Sequence, residues 1–138
     1  MNPCINMITL GVHNFKVSLV FYKNGLCFPR YDYEGNEEVA FFELSGTWLS
    51  IYPIQLLAAD AGIRATPLQS EFNGVTIYHN VKTPAEVETI FQMVISAGAK
   101  KLRQPDQADW GGYTAYFSDP DSHVWGVIHN PFFWPGPA

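Results

Sequence analysis

The side chains of this chain that can do chemistry are few and scattered. Its four histidines, His13, His79, His123 and His129, show none of the spacings by which two imidazoles share a helix face or flank a metal, so each reads as a turn or surface residue. Asp119-Pro120-Asp121-Ser122 is a turn and not a catalytic carboxylate pair, because proline presets its second position and aspartates bond the local backbone. Cys4 and Cys27 are too sparse for a disulfide framework, and Cys27 has no histidine in sequence reach to activate it; both read as reduced packing residues. Gly111-Gly112 is no phosphate loop and more simply lets a strand start close to a neighbouring backbone. Tyr78 or Tyr116 would serve as an acid or base only with a strongly lowered pKa, so no catalytic residue is assigned.

The elements that hold these groups are easier to read. Thr83-Pro84-Ala85-Glu86 has the cap, first-turn proline and back-bonding glutamate of a helix start. Val87, Ile90, Phe91, Val94 and Ile95 then form one apolar stripe, and Gly98 suits the stop. An earlier helix is predicted behind Asn14, with Phe15, Leu19, Tyr22 and Leu26 on one face and Gly25 near its end. Strand-like runs precede both helices, at 8–12 and 75–81. Three more follow each: 30–33, 39–44 and 48–52 after the first, then 101–103, 113–117 and 124–129 after the second.

Both halves thus read strand, helix, strand, strand, strand. Val12 and Val81 stand 69 positions apart, half of the 138 residues, as do Ile8 and Ile77, and the caps Asn14 and Thr83. Further on, Ala40-Phe41-Phe42 matches Ala115-Tyr116-Phe117 and Trp48 matches Trp125. The reading is an α+β fold of two βαβββ modules in a single domain over 1–138. Module 1 covers about 1–53, a connector about 54–72 with Pro53 and Pro67 near its ends, module 2 about 73–130, and an aromatic tail 131–138.

Composition excludes several roles. With 47% apolar and 15% charged residues the chain should be globular, and its formal net charge is −5. Eight scattered Lys and Arg cannot neutralise a run of phosphates, so no nucleic-acid partner is expected. No apolar run reaches the roughly 18 residues that cross a bilayer, so no membrane partner is expected either. Met1 to Met7 lacks the pattern of a secretory signal, which leaves a cytoplasmic location as the expectation. Aromatic residues make up 15%, enough to line a pocket as well as a core.

Two stretches resemble the vicinal oxygen chelate superfamily, which includes glyoxalase I, extradiol dioxygenases, and fosfomycin and bleomycin resistance proteins. The first runs from Ile8-Thr9-Leu10-Gly11-Val12 through Ser18-Leu19-Val20-Phe21-Tyr22 to Gly25-Leu26. The second runs from Trp110-Gly111-Gly112-Tyr113 through Phe117-Ser118-Asp119-Pro120-Asp121 and His123-Val124-Trp125 to Asn130-Pro131-Phe132. The resemblance implies that each module is half of an open curled sheet around a cleft and that the protein pairs as a homodimer. Metal-dependent members place a ligand on the first and last strand of each half. Those positions match Met7, Leu49, Thr76 and Gly126, the last where related chains often carry glutamate. A thioether, a leucine, a hydroxyl and a glycine make no site for a divalent cation, so neither a metal nor another cofactor is expected.

Strand alternation sends Met7, Thr9, Leu49, Ile51, Thr76, Tyr78, Val124, Gly126 and Ile128 toward the cleft. It sends Trp48 and Trp125 under the helices and His79 to the face opposite Thr76. The resemblance adds Thr114 and Tyr116, with Phe41 as the counterpart of Tyr116. The candidate ligand-binding residues are therefore Met7, Thr9, Phe41, Leu49, Thr76, Tyr78, Thr114, Tyr116 and Gly126. An apolar, aromatic wall with a few hydroxyls suits a small ring compound held by burial and directed hydrogen bonds. The expected function is metal-free binding or sequestration of such a molecule. The competing expectation is a metal-dependent lyase, isomerase or dioxygenase of the glyoxalase type with displaced ligands. The tail Phe132-Phe133-Trp134 is expected to cover a partner subunit or the cleft mouth.

Overall fold

The computed structural model describes residues 1–65 and 72–136. Contacts divide the chain into two compact units, Met1–Leu68 and Gln69–Ala138. In the first, β1 (Met7–Val12) leads to α1 (Phe15–Val20), which runs on as a π-helical turn over Phe21–Gly25; β2 (Ala40–Phe42), β3 (Trp48–Pro53) and α2 (Ile54–Asp60) follow. Asn14 Oδ1 accepts the Val17 amide at 3.2 Å and caps α1. The widened turn brings the Leu26 amide to the Phe21 carbonyl at 2.9 Å, and the chain leaves through Cys27 at φ 59°. The left-handed position thus falls on Cys27, which makes it an exposed thiol rather than a packing residue; Cys4 is exposed and free as well.

The sheet of this unit has the order β1-β3-β2, with β1 parallel to β3 and β2 antiparallel to it. The strand expected at 30–33 shrinks to one bridge between Arg30 and Phe42. Tyr31 donates its amide to Phe41, but the chain then turns through an Asn36 side chain that accepts the Glu38 amide. On the helix side Leu10, Ala40, Phe42, Leu49 and Ile51 are buried, and Phe42 meets Tyr22 with ring centres 5.9 Å apart. Each of these leucine, isoleucine and phenylalanine side chains contributes roughly 1.5–3 kcal/mol by leaving water.

The second unit is a βαβββ unit built of β4 (Thr76–Val81), α3 (Pro84–Ser96), β5 (Lys100–Gln107), β6 (Tyr113–Ser118) and β7 (Val124–His129). Its sheet has the order β4-β7-β6-β5, with β4 parallel to β7. The capping box forms as the sequence demands: Glu86 donates its amide to Thr83 Oγ1 at 3.2 Å and accepts the Thr83 amide at 2.8 Å. Val87, Phe91 and Val94 are buried, and Gly98 takes φ 105° after the last turn. Tyr113 of β6 donates to Glu88 of α3, which identifies the helix side of this sheet. Phe117 and Trp125 stack there, rings 7° from parallel and centres 6.2 Å apart, so Trp125 lies under the helix as alternation requires.

The connector begins as α2, which packs on β1 and β3; positions 66–71, Pro67 among them, lie outside the described residues. In the tail, Asn130 Oδ1 accepts the Phe132 amide and Lys82 Nζ sits 3.4 Å from the ring centre of Trp134. Phe132 and Phe133 remain 70% and 66% exposed. Pro137 and Ala138 lie outside the described residues. No helix among the described residues is long and apolar enough to cross a membrane.

Candidate functional site

All the candidate residues but Leu49 sit on the sheet faces turned away from the helices, and each unit builds its own row. In the second unit the register aligns Tyr78 of β4, Gly126 of β7 and Tyr116 of β6 across three strands. Paired residues in a sheet point to one side, so Thr76, Val124 and Ser118 form the row on one flank, and Asn80, Ile128 and Thr114 the row on the other. Thr76, Tyr78, Thr114, Tyr116 and Gly126 are thereby brought together on one face.

The centre of that face is a pair of phenols. Tyr78 and Tyr116 oxygens lie 3.2 Å apart and their rings meet edge to face at 71°. A Cβ on Gly126 would lie 2.8 Å from the Tyr78 ring and 3.0 Å from that of Tyr116, so the pair exists because that residue has no side chain. Hydrogen bonds from Thr76 and Tyr116 stabilise an anionic Tyr78 oxygen and lower its pKa against the opposing effect of burial. Tyr116 is pushed up to about 12, first by burial and then by its bond to Tyr78. The more exposed phenol is therefore the more acidic one.

In the first unit Thr9, Ser50 and Phe41 form the corresponding row, with the Thr9 and Ser50 hydroxyls hydrogen-bonded. Met7 pairs with Trp48 on the same face. This corrects the sequence reading of β3. Leu49 and Ile51 pair with Ile8 and Leu10 and point to the helix side, whereas Trp48 and Ser50 share the face of Met7 and Thr9. Matching Trp48 to Trp125 by residue type shifts the strand by one position; by register Trp48 corresponds to Val124, Leu49 to Trp125 and Ser50 to Gly126. Leu49, at 3% exposure, is thus a core residue of its unit and no wall of a ligand face.

The same correction brings in residues that alternation missed. Tyr31 packs on Trp48 with ring centres 5.4 Å apart, and Tyr33 meets Phe41 at the same separation. Both also line an open depression of about 540 Å³ together with Lys23, Arg30, Glu34 and Glu37. The signal for them was the period-2 spacing of Tyr31 and Tyr33 beside Arg30, but an irregular segment gives no register to read it by.

The positions that the resemblance gives to metal ligands become Met7 and Ser50 in the first unit and Thr76 and Gly126 in the second. None is an imidazole or carboxylate, and the Ser50 hydroxyl is already bonded to Thr9. These residues do not fit a divalent ion. Among the described residues no three His, Cys, Asp or Glu side chains gather to hold one elsewhere. His79 and His129 pair with residues of the helix side, and burial lowers the His79 pKa although Glu86 counters it. Asp119 Oδ1 accepts the amides of Asp121 and His123 at 2.9 and 2.8 Å, which makes that carboxylate the organiser of its turn. Trp110 lies over Gly112 and is 49% exposed.

Comparison with known proteins agrees with this architecture. The family model for the Glyoxalase/Bleomycin resistance protein/Dioxygenase superfamily matches residues 4–127. The uncharacterized protein YraH of Bacillus subtilis is 27% identical over 119 residues, 85% of this chain and 91% of that protein. The crystal structure of a glyoxalase-related enzyme from Fulvimarina pelagi superposes with a TM-score of 0.84 at 29% identity, covering 97% of this chain and 93% of that one. A glyoxalase/bleomycin resistance protein/dioxygenase from Nocardioides gives 0.80 at 22% identity, over 100% of this chain and 91% of its own.

Proposed function

The chain belongs to the Glyoxalase/Bleomycin resistance protein/Dioxygenase superfamily, and from that premise we propose that it is a metal-free protein that binds or sequesters a small aromatic molecule. The observation that carries the reading is the occupancy of the second unit's ligand position. Where related chains often carry a glutamate, Gly126 lets the Tyr78 and Tyr116 rings converge. Burial against aromatic rings supplies affinity, and the hydroxyls of Thr76, Tyr78 and Tyr116 supply direction. In the first unit Phe41, Trp48, Tyr31 and Tyr33 offer a second aromatic face.

The reading includes a homodimer and a cytoplasmic location. Two largely exposed phenylalanines, Phe132 and Phe133, support the first, since such rings gain by leaving water at an interface. Exposed free thiols at Cys4 and Cys27 suit a reducing compartment. Replacing both phenylalanines by serine should shift the mass seen by light scattering from dimer to monomer; an unchanged mass would remove the tail from the interface.

The test of function has two arms. Ring compounds with one or two polar groups should raise the melting temperature, because a ligand that binds only the folded state stabilises it. Protein purified without chelators should carry no stoichiometric Zn, Ni, Mn or Fe. Near-stoichiometric metal lost together with a lyase, isomerase or dioxygenase activity would replace the binder with the enzyme.

A further inference from the structure

We infer that Arg103 makes the phenol face of the second sheet a site for aromatic carboxylates, its guanidinium gripping the carboxylate while the ring packs against Tyr116. This rests on the aromatic-ligand reading above and names the class of ligand.

Strand β5 departs from regular pairing in two places, and both departures aim charge at that face. Lys100 and Lys101 pair in step with Ser118 and Phe117, so Lys101 points to the helix side as Phe117 does. Tyr116 is one step further along β6, but its partner Arg103 is two steps further along β5. The extra residue is a bulge, and a bulge re-aims the side chains beside it. Regular alternation would return Arg103 to the side of Lys101. Instead it completes a row across four strands, Tyr78, Gly126, Tyr116 and Arg103, on the face turned away from α3. The second irregularity sets Asp106 opposite Thr114 on the same face. Charges on an edge strand also deter aggregation, but that role requires no bulge and no particular face.

A guanidinium stays charged throughout the working pH range and carries five donors in one plane. The single ion pair of Arg103 among the described residues, with Asp106 Oδ2, is 3.9 Å long and therefore beyond hydrogen-bond distance, which leaves the fork available. Its charge reaches the Tyr116 oxygen, whose pKa it lowers against the larger effects of burial and of Tyr78. Two parallel N–H donors match the two oxygens of a carboxylate. Lys100 adds a second cation to this edge and Asp106 offsets one, so a single positive charge remains. That balance suits a monoanion and disfavours a phosphate dianion, although the whole chain carries −5.

The probe is 2-naphthoate, titrated calorimetrically into the full-length protein, with 2-naphthamide as the same ring without the charge. The carboxylate should bind about tenfold more tightly. Arg103→Gln should erase that preference, whereas Lys101→Gln, which removes the same charge from the helix side of the strand, should keep it. Arg103→Lys retains the charge but not the fork and should keep part of it. The Arg103 side chain is 54% exposed, so its variants should melt at the wild-type temperature. Equal affinities for the two probes, a preference that survives Arg103→Gln or that Lys101→Gln erases as fully, or tighter binding of 2-naphthyl phosphate, would each overturn the inference and leave aromatic binding standing. Failure of every probe to bind would remove the aromatic-ligand reading with it.

Discussion

The oxygens of Tyr78 and Tyr116 stand 3.2 Å apart across the backbone of Gly126, whose missing side chain is the space their rings occupy. At the corresponding place in the first sheet, Thr9 and Ser50 share a hydrogen bond beside Phe41. Each unit thus carries a hydroxyl-and-ring row on the sheet face turned away from its helices.

Gly126→Ala tests the first of these relationships. The added methyl would meet both rings at 2.8–3.0 Å, well inside ordinary contact. Overpacking of this kind costs about 1–3 kcal/mol. Urea denaturation should show that loss, and aromatic ligands should bind more weakly because the phenols are forced apart.

The phenol pair also sets an alkaline response. The Tyr116 pKa rises from 10.0 to about 12 on folding, so the folded state retains its proton longer. Its contribution to stability is complete below pH 10 and is lost as pH rises toward 12. Tyr78 has the opposite sign, since a lowered pKa favours the folded state as pH rises. The two titrate as a coupled pair. Denaturation measured across this range should show Tyr116→Phe weakening the alkaline decline; an identical pH profile for wild type and this variant would contradict the pairing.

Backbone strain at Ser122 is a third point of test. This residue closes the Asp119 turn at φ 68°, and Cys27 takes φ 59° after the π-helical turn. Relief of a left-handed side chain, less the entropy that glycine adds to the unfolded chain, amounts to roughly 0.5–1 kcal/mol. Ser122→Gly should raise the unfolding free energy by that amount, seen as a higher denaturation midpoint at an unchanged slope, and Cys27→Gly should do the same.

The corrected β3 register separates two neighbours. Leu49→Ala empties the helix-side core and should cost about 2–5 kcal/mol, while any binding change should follow from lost stability alone. Ser50→Ala leaves Thr9 without its hydroxyl partner and should alter ligand affinity at a smaller cost, about 1–3 kcal/mol. Denaturation paired with ligand titration distinguishes the two, and the reverse pattern would restore Leu49 to the ligand face.

How much of the site was legible depended on what fixes each strand. Thr83 and Glu86 announce α3 because a capping box is local chemistry, complete within four residues. Thr114, Tyr116 and Gly126 share a face because β6 and β7 are joined by the short Asp119–Ser122 turn, which leaves little freedom of register, whereas no local feature sets the offset of Thr76 and Tyr78 on β4, which is parallel to β7. Leu49 was misplaced because β1 and β3 are parallel and joined through a helix, a long loop and a third strand. No turn sets their offset, and a slip of one residue reverses every side chain. The first helix does end at Gly25, but the left-handed residue that follows it is Cys27, because a π-helical turn adds a residue that the 3.6-residue period does not contain.

The sequence by itself determined two strand-and-helix modules and the starts of their helices, because caps and alternation are properties of short segments, although the first module keeps only three of its four expected strands. Only the tertiary structure decided that Trp48 and Ser50 face away from the helices and that Tyr78, Gly126 and Tyr116 meet in one row. Contacts between strands distant in sequence depend on which backbone amide pairs with which carbonyl, and that choice is made by packing the whole sheet at once.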